Sequence, residues 1–128
     1  MNGLLITGTD TDVGKTFVTT LIARELVERG VRLGVYKPAC SGAVDSAGQQ
    51  IWQDIEALAD VAGIADRSLV CPQCFVASLA PPVAARLEGR VVDDDLLRRG
   101  LNEWEARADF VLVEGVGGLL CPLSESLS

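Results

Sequence analysis

Apolar and polar positions alternate along this chain in a way that marks out strands and helices in turn. Residues 4–7, "LLIT", are a short apolar run closed by Gly8, the pattern of a buried strand. Phe17, Val18, Leu21, Ile22, Leu26 and Val27 then recur at helical spacing, which predicts a helix over 15–29 stopped by Gly30. "VRLGVYKP" reads as a second strand ended by Pro38, so strand, loop, helix and strand form a βαβ unit with its two strands parallel and a right-handed crossover. "SGAVDSAGQQ" is small and polar and is predicted to be a loop. Ile51, Ile55, Leu58 and Ala62 mark one face of a second helix that ends at Gly63. "SLVCPQCFV" is predicted as a short strand or extended segment interrupted by Pro72. "LAPPVAARLEG" is predicted as a loop feeding a short helix, since Pro81 and Pro82 forbid regular structure before it. Leu97, Leu101, Trp104 and Ala108 place a third helix over 94–107, and residues 109–115, "DFVLVEG", form an apolar strand ending in an acid.

This alternation predicts an α/β fold, with helices on both faces of a mostly parallel sheet, in a single domain over 1–128. Only three or four strands are available. The sheet edge is therefore expected to carry unpaired backbone groups and apolar side chains, and the chain is read as a fragment, the alternative being a small domain completed by a partner.

Composition narrows the function. Hydrophobic residues make up 48% of the 128, enough for one core. A formal net charge of -7 argues against nucleic-acid binding, which calls for a basic surface. Neither a signal peptide nor an apolar run of about 20 residues is present, so no membrane association and a cytoplasmic location are expected, with reduced cysteines. Of the four cysteines, Cys71 and Cys74 have the spacing of half a zinc site that Cys40 or Cys121 could complete. Small buried hydrophobes are the favoured reading. Histidine is absent, so any chemistry rests on Lys, Asp, Glu, hydroxyls and backbone.

Between the first strand and first helix stands "GTDTDVGKT", residues 8–16, one residue longer than the usual G-x-x-x-x-G-K-[ST] phosphate loop. The extra residue lies ahead of Gly14 and leaves the Gly14-Lys15-Thr16 end intact. Free N–H groups and the positive dipole end of the helix attract phosphate there. Lys15 supplies a point charge, and the Thr16 hydroxyl is placed to hold magnesium. In a parallel sheet, ligands bind beyond the carboxyl ends of the strands, where Lys37 ends strand two and Glu114 ends the last strand. Taken alone, each is read first as a solvated strand end, and Asp54 as a charge favouring its helix terminus. Together with the loop, the functional reading is preferred.

These segments carry a family resemblance. "GTDTDVGKT", "YKPACSG", "DIEAL" from Asp54 and "VLVEGVGGLLCPL" resemble dethiobiotin synthetase in order and spacing, from Leu4 to Leu123, and the lengthened loop is that family's own form. The resemblance implies a P-loop NTPase-like three-layer α/β/α fold, incomplete on its C-terminal side. It also implies an ATP- and Mg2+-dependent ligase that closes 7,8-diaminopelargonate and CO2 into dethiobiotin through a phosphorylated carbamate. By the same resemblance, Asp12, Val13, Gly14, Lys15, Thr16 and Phe17 would wrap the ATP phosphates, with Asp54, Glu114, Gly115, Val116 and Gly117 close to the nucleotide. Thr16, Asp54 and Glu114 would hold magnesium. Lys37 would be catalytic with Lys15 beside it, and Thr11 and Ser41 would touch the diamine. A homodimer is implied for the full-length protein.

The chain departs from the family at "LAPPVAAR", where many members carry Ser-Pro-His and this one has Pro81-Pro82-Val83, so contacts from that loop are not carried over. Family members also continue past this point, and the remainder is expected to supply adenine recognition, further strands and dimer contacts. The competing readings are a partitioning-type switch ATPase, a cobyric-acid-type amide synthetase and a non-catalytic nucleotide-binding module. The first usually places a lysine early in the loop, where Thr9 and Asp10 stand here; the second is much longer; the third has no need of Lys15, Thr16, Lys37, Ser41, Asp54 and Glu114 together.

Overall fold

The computed structural model describes residues 2–9, 14–118 and 120–126. Three parallel strands, β1 (Asn2–Ile6), β2 (Leu33–Tyr36) and β7 (Phe110–Glu114), form the central sheet in the order β1-β7-β2. The first two strands are parallel, as the βαβ pattern predicts, but the last strand lies between them. That insertion gives β7 a neighbour on each side, and four of its five residues pair with both.

Side chains alternate along β2 and β7, so these two strands are covered on both faces. Leu33 and Val35 of β2 and Leu112 of β7 pack with Ala23 of α1 (Lys15–Glu28) and with Ile55, Leu58 and Ala59 of α2 (Gln53–Ala62). Tyr36 and Val111 point to the opposite face and pack with Trp104 and Ala108, beyond α5 (Asp94–Asn102). The result is a three-layer α/β/α arrangement of P-loop NTPase-like character. Gly34 is required on the second face, because a Cβ there would stand 2.7 Å from the Trp104 ring.

The last helix ends at Asn102, five residues before the predicted Arg107. The chain tightens into successive i→i+3 turns, with Trp104 N–H bonded to Leu101 O and Arg107 N–H to Trp104 O. Those turns aim the Trp104 indole at the sheet, and its N–H donates to Leu69 O, outside the sheet, at 3.1 Å. The predicted polar loop after β2 is also corrected. Val44–Ser46 (β4) and Gln49–Ile51 (β5) form an antiparallel hairpin closed by Ala47 and Gly48, both at positive φ. Two-residue turns of this kind usually take Asn-Gly or Asp-Gly.

The ambiguous cysteine segment resolves into a short helix, α3 (Arg67–Val70), and a two-residue strand, β6 (Cys74–Phe75), parallel to β3 (Cys40–Ser41). α4 (Pro81–Leu87) begins on the proline pair, which suits a first helical turn that needs no N–H partners. Phe75, Ala84, Ala85, Val92 and Leu97 form a second apolar cluster with Ala39. At the sheet edge, Leu4 and Leu5 of β1 are exposed, as are Phe17, Val18 and Leu21 on α1, in line with the uncovered apolar edge expected from so few strands. No helix among the described residues is long and apolar enough to cross a membrane.

Candidate functional site

The central pair of the site follows from strand parity and register. Val35 and Leu112 are partners across β2 and β7 and face α1 and α2. Two residues on, the same parity brings Lys37, the residue after β2, together with Glu114, the last residue of β7. Lys37 Nζ donates to Glu114 Oε1 at 3.1 Å and to Gly115 O at 3.2 Å. Both side chains are almost entirely buried, with relative exposures of 4% and 1%.

Two helices deliver the remaining groups. Gly14, at φ 88°, occupies the left-handed region that favours glycine and turns the chain into α1. Thr16, in the first turn, donates its hydroxyl to Glu114 Oε1 at 2.6 Å. That turn contains no acidic residue, and no side chain caps it among the described residues, so its positive end carries no competing carboxylate of its own. Lys15 is buried beside it. Asp54 reaches in from the start of α2, with Oδ2 3.7 Å from Lys37 Nζ, and remains half exposed.

Burial alone would push the Lys37 ammonium toward neutrality. The carboxylate of Glu114, the Cys40 sulfur and the Asp54 carboxylate outweigh it, and the lysine is held above its ordinary value. Lys37 therefore stays cationic at neutral pH.

The donor set also fits a magnesium ion. Glu114 Oε2 is buried without a hydrogen-bond partner among the described residues. A buried carboxylate oxygen without a donor is costly unless a cation or ligand completes it. With the Thr16 hydroxyl and the Asp54 carboxylate nearby, the available donors are all hard oxygens. Among the described residues no cluster of three or more Cys, Asp or Glu forms a ready metal cage.

These groups line a cavity of about 570 Å³. Gly14, Lys15, Thr16, Phe17, Lys37, Ser41, Asp54, Glu114, Val116 and Gly117 all border it. Gly115 contributes through its carbonyl, bonded to Lys37. Thr11, Asp12 and Val13 lie outside the described residues. Sequence reasoning missed Trp52, Gln53, Ser78, Leu79 and Ala80, which also line the cavity. Trp52 precedes Asp54 by two residues, and its indole N–H donates to Phe75 O at 2.8 Å, fixing the ring at the cavity wall. Leu79 and Ala80 belong to the segment in which the chain departs from the Ser-Pro-His pattern, and Ser78 directly precedes it. The apolar side chains of Leu79 and Ala80 offer no chemical signal.

Over residues 2–128 the chain matches the family described as AAA domain. It is 44% identical over 123 residues to the ATP-dependent dethiobiotin synthetase BioD of Rhodopirellula baltica, covering 94% of this chain and 48% of that protein. It is 45% identical over 126 residues to the enzyme of the same name from Anaeromyxobacter sp., covering 98% of this chain and 55% of the relative. Against the Anoxybacillus flavithermus protein of that name the identity is 39% over 123 residues, with 96% and 55% covered. The chain thus spans about half the length of the curated relatives it matches. The resemblance to dethiobiotin synthetases carried by the loop, the lysine and the terminal glutamate is borne out by these similarities. By its match along nearly its whole length, the chain belongs to the AAA domain family.

Proposed function

We propose that the chain carries the nucleotide- and carbamate-handling part of an ATP-dependent dethiobiotin synthetase. The carrying observation is the convergence of Lys37, Glu114 and Thr16 at the carboxyl edge of a parallel sheet, beside the Gly14-Lys15-Thr16 turn. The substrates are 7,8-diaminopelargonate, CO2 or bicarbonate, and ATP. One amine captures CO2 as a carbamate, whose oxygen attacks the γ-phosphorus of ATP and releases ADP. The second amine then attacks the carbonyl carbon of the mixed anhydride, closing the ring and expelling phosphate.

In this reading Lys37 neutralises charge on the carbamate and the transferring phosphoryl group, with Lys15 on the outer phosphates. Asp12, Val13, Gly14 and Phe17, with residues 114–117, enclose the phosphates and the nucleotide, and Thr11 and Ser41 meet the diamine. Magnesium, held by Thr16, Asp54 and Glu114, would neutralise phosphate charge. The work of this chain's own residues is mainly positioning, which is consistent with a site that has no histidine. The resemblance also supports a homodimeric protein acting in the cytoplasm, with no nucleic-acid or membrane partner.

The test is incorporation of 13C from labelled bicarbonate. The chain is incubated with the diamine and Mg-ATP, and the product is followed by mass spectrometry. Label in the ureido carbon of dethiobiotin supports the reading. ATP hydrolysis without labelled product contradicts it and favours a switch-type ATPase.

A further inference from the structure

The segment Cys71-Pro72-Gln73-Cys74 takes no part in the chemistry above, yet it is joined to the strand end that carries the site. Lys37 N–H donates to Val70 O at 2.7 Å, Cys40 N–H to Gln73 O at 2.9 Å, and Gly42 N–H to Phe75 O at 3.2 Å. Carbonyls of residues between and flanking the cysteine pair thus hold the backbone that presents Lys37 and Ser41 to the cavity. The Gln73 side chain is itself fixed, accepting from Asp93 N–H at 2.8 Å and donating to Asp93 O at 3.0 Å.

Both thiols turn into the short loop between them, Cys71 Sγ donating to Gln73 O at 3.3 Å and Cys74 Sγ to Cys71 O at 3.9 Å. Cys71 is buried, whereas Cys74 is partly open to solvent. The hydrogen bond from Cys71 favours the Cys74 thiolate, burial opposes it, and the charge of Arg90 adds to the favourable side, leaving Cys74 below the ordinary thiol value. Cys40 lies opposite Cys74 in the β3–β6 pair and lines the cavity.

We propose that Cys71 and Cys74 are a modifiable dithiol, oxidised by a low-molecular-weight disulfide, and that closing their disulfide loosens the backbone carrying Lys37 and Ser41. The accessible Cys74 thiolate attacks one sulfur of the external disulfide, forming a mixed disulfide and releasing one thiolate. The Cys71 thiol, losing its proton to that thiolate or to water, attacks Cys74 Sγ and expels the second thiolate. The protein loses two electrons and two thiol protons, and one external disulfide is reduced to two thiols. Only Cys74 has to meet the reagent, so burial of Cys71 is no obstacle. The Gln73 carbonyl lies inside the loop that closes, so the Cys40 N–H bond to it is the first to be disturbed.

The experiment treats the whole chain with oxidised glutathione and maps the disulfides by peptide mass spectrometry. Amide hydrogen exchange at Lys37, Cys40 and Gly42 is compared before oxidation, after it, and after dithiothreitol. The expected result is a Cys71–Cys74 disulfide, exchange at the Cys40 amide roughly tenfold faster, and full reversal on reduction. In Cys71→Ser the reaction should stop at a mixed disulfide on Cys74, and Cys74→Ser should form neither species. Failure to form the Cys71–Cys74 bond, a Cys40–Cys74 bond in its place, or a closed bond with unchanged exchange at Cys40 would each overturn the proposal. None of these readouts depends on the synthetase reaction.

Discussion

Replacing Lys37 with methionine keeps most of the side chain's length and deletes its charge, which leaves Glu114 buried beside a thioether. Both groups are almost fully buried, so solvent cannot compensate. Removing one member of such a pair costs about 3–5 kcal/mol, out of the roughly 5–15 kcal/mol that holds a domain together. Thr16 still donates to Glu114 Oε1, which favours the lower end, about 3 kcal/mol. With a urea dependence of about 1–3 kcal/mol per molar, the unfolding midpoint should fall by roughly 2 M. The assay is urea denaturation followed by circular dichroism, with the double variant Lys37→Met, Glu114→Gln as its partner. Removing both charges should recover part of the loss, because no uncompensated carboxylate remains. A midpoint shift below about 0.5 M, or a double variant whose loss equals the sum of the two singles, would refute the account of a mutually dependent buried pair.

At a temperature where Lys37→Met stays folded, it should still bind Mg-ATP by calorimetry while ADP release drops about a hundredfold; near-normal turnover would remove Lys37 from the chemistry. Thr16→Val should weaken binding of Mg-ATP by about tenfold but leave binding in the presence of EDTA little changed, and an unaltered magnesium dependence would count against Thr16 as a ligand. Stability should fall as pH rises above about 9. Burial pushes the Cys40 thiol from 9.0 up to about 12, despite Lys37 nearby, and Lys37 is itself held above its ordinary 10.5. Each raised group gives its full stabilisation below its unfolded value and loses it as pH climbs through the folded one. Cys40→Ala should flatten the part of the decline between pH 9 and 12, and alkaline melts that stay parallel to the parent's would contradict this. Trp52 lines the cavity and Trp104 lies in the core, so nucleotide binding should alter indole emission in the parent and in Trp104→Phe, but not in Trp52→Phe.

Much of the site can be read from the sequence because its residues sit at punctuated positions. Gly14 announces the turn into α1, Pro38 fixes the end of the strand that bears Lys37, and Glu114 interrupts an otherwise apolar run. Given a parallel sheet, parity and register then do the rest. The hairpin over 44–51 is not legible, since Val44, Asp45 and Ser46 are all exposed and leave no alternating pattern, and its turn uses Ala47 where Asn or Asp would have announced it. The β3–β6 pair is equally silent. Two residues are too few to show a period, and what orders them is pairing between segments far apart in sequence. Trp52, Leu79 and Ala80 reach the cavity wall by tertiary packing alone. The early end of the last helix has the same origin, because the Trp104 indole is drawn onto Gly34.

The central claim is that this cavity couples ATP cleavage to capture of CO2 by a diamine. It is tested most directly by measuring ADP release with Mg-ATP while diaminopelargonate and bicarbonate are omitted in turn. The account predicts release only when both are present, and its loss in Lys37→Met. Release that proceeds equally without either co-substrate, or none with both present from a chain that melts cooperatively, would contradict it.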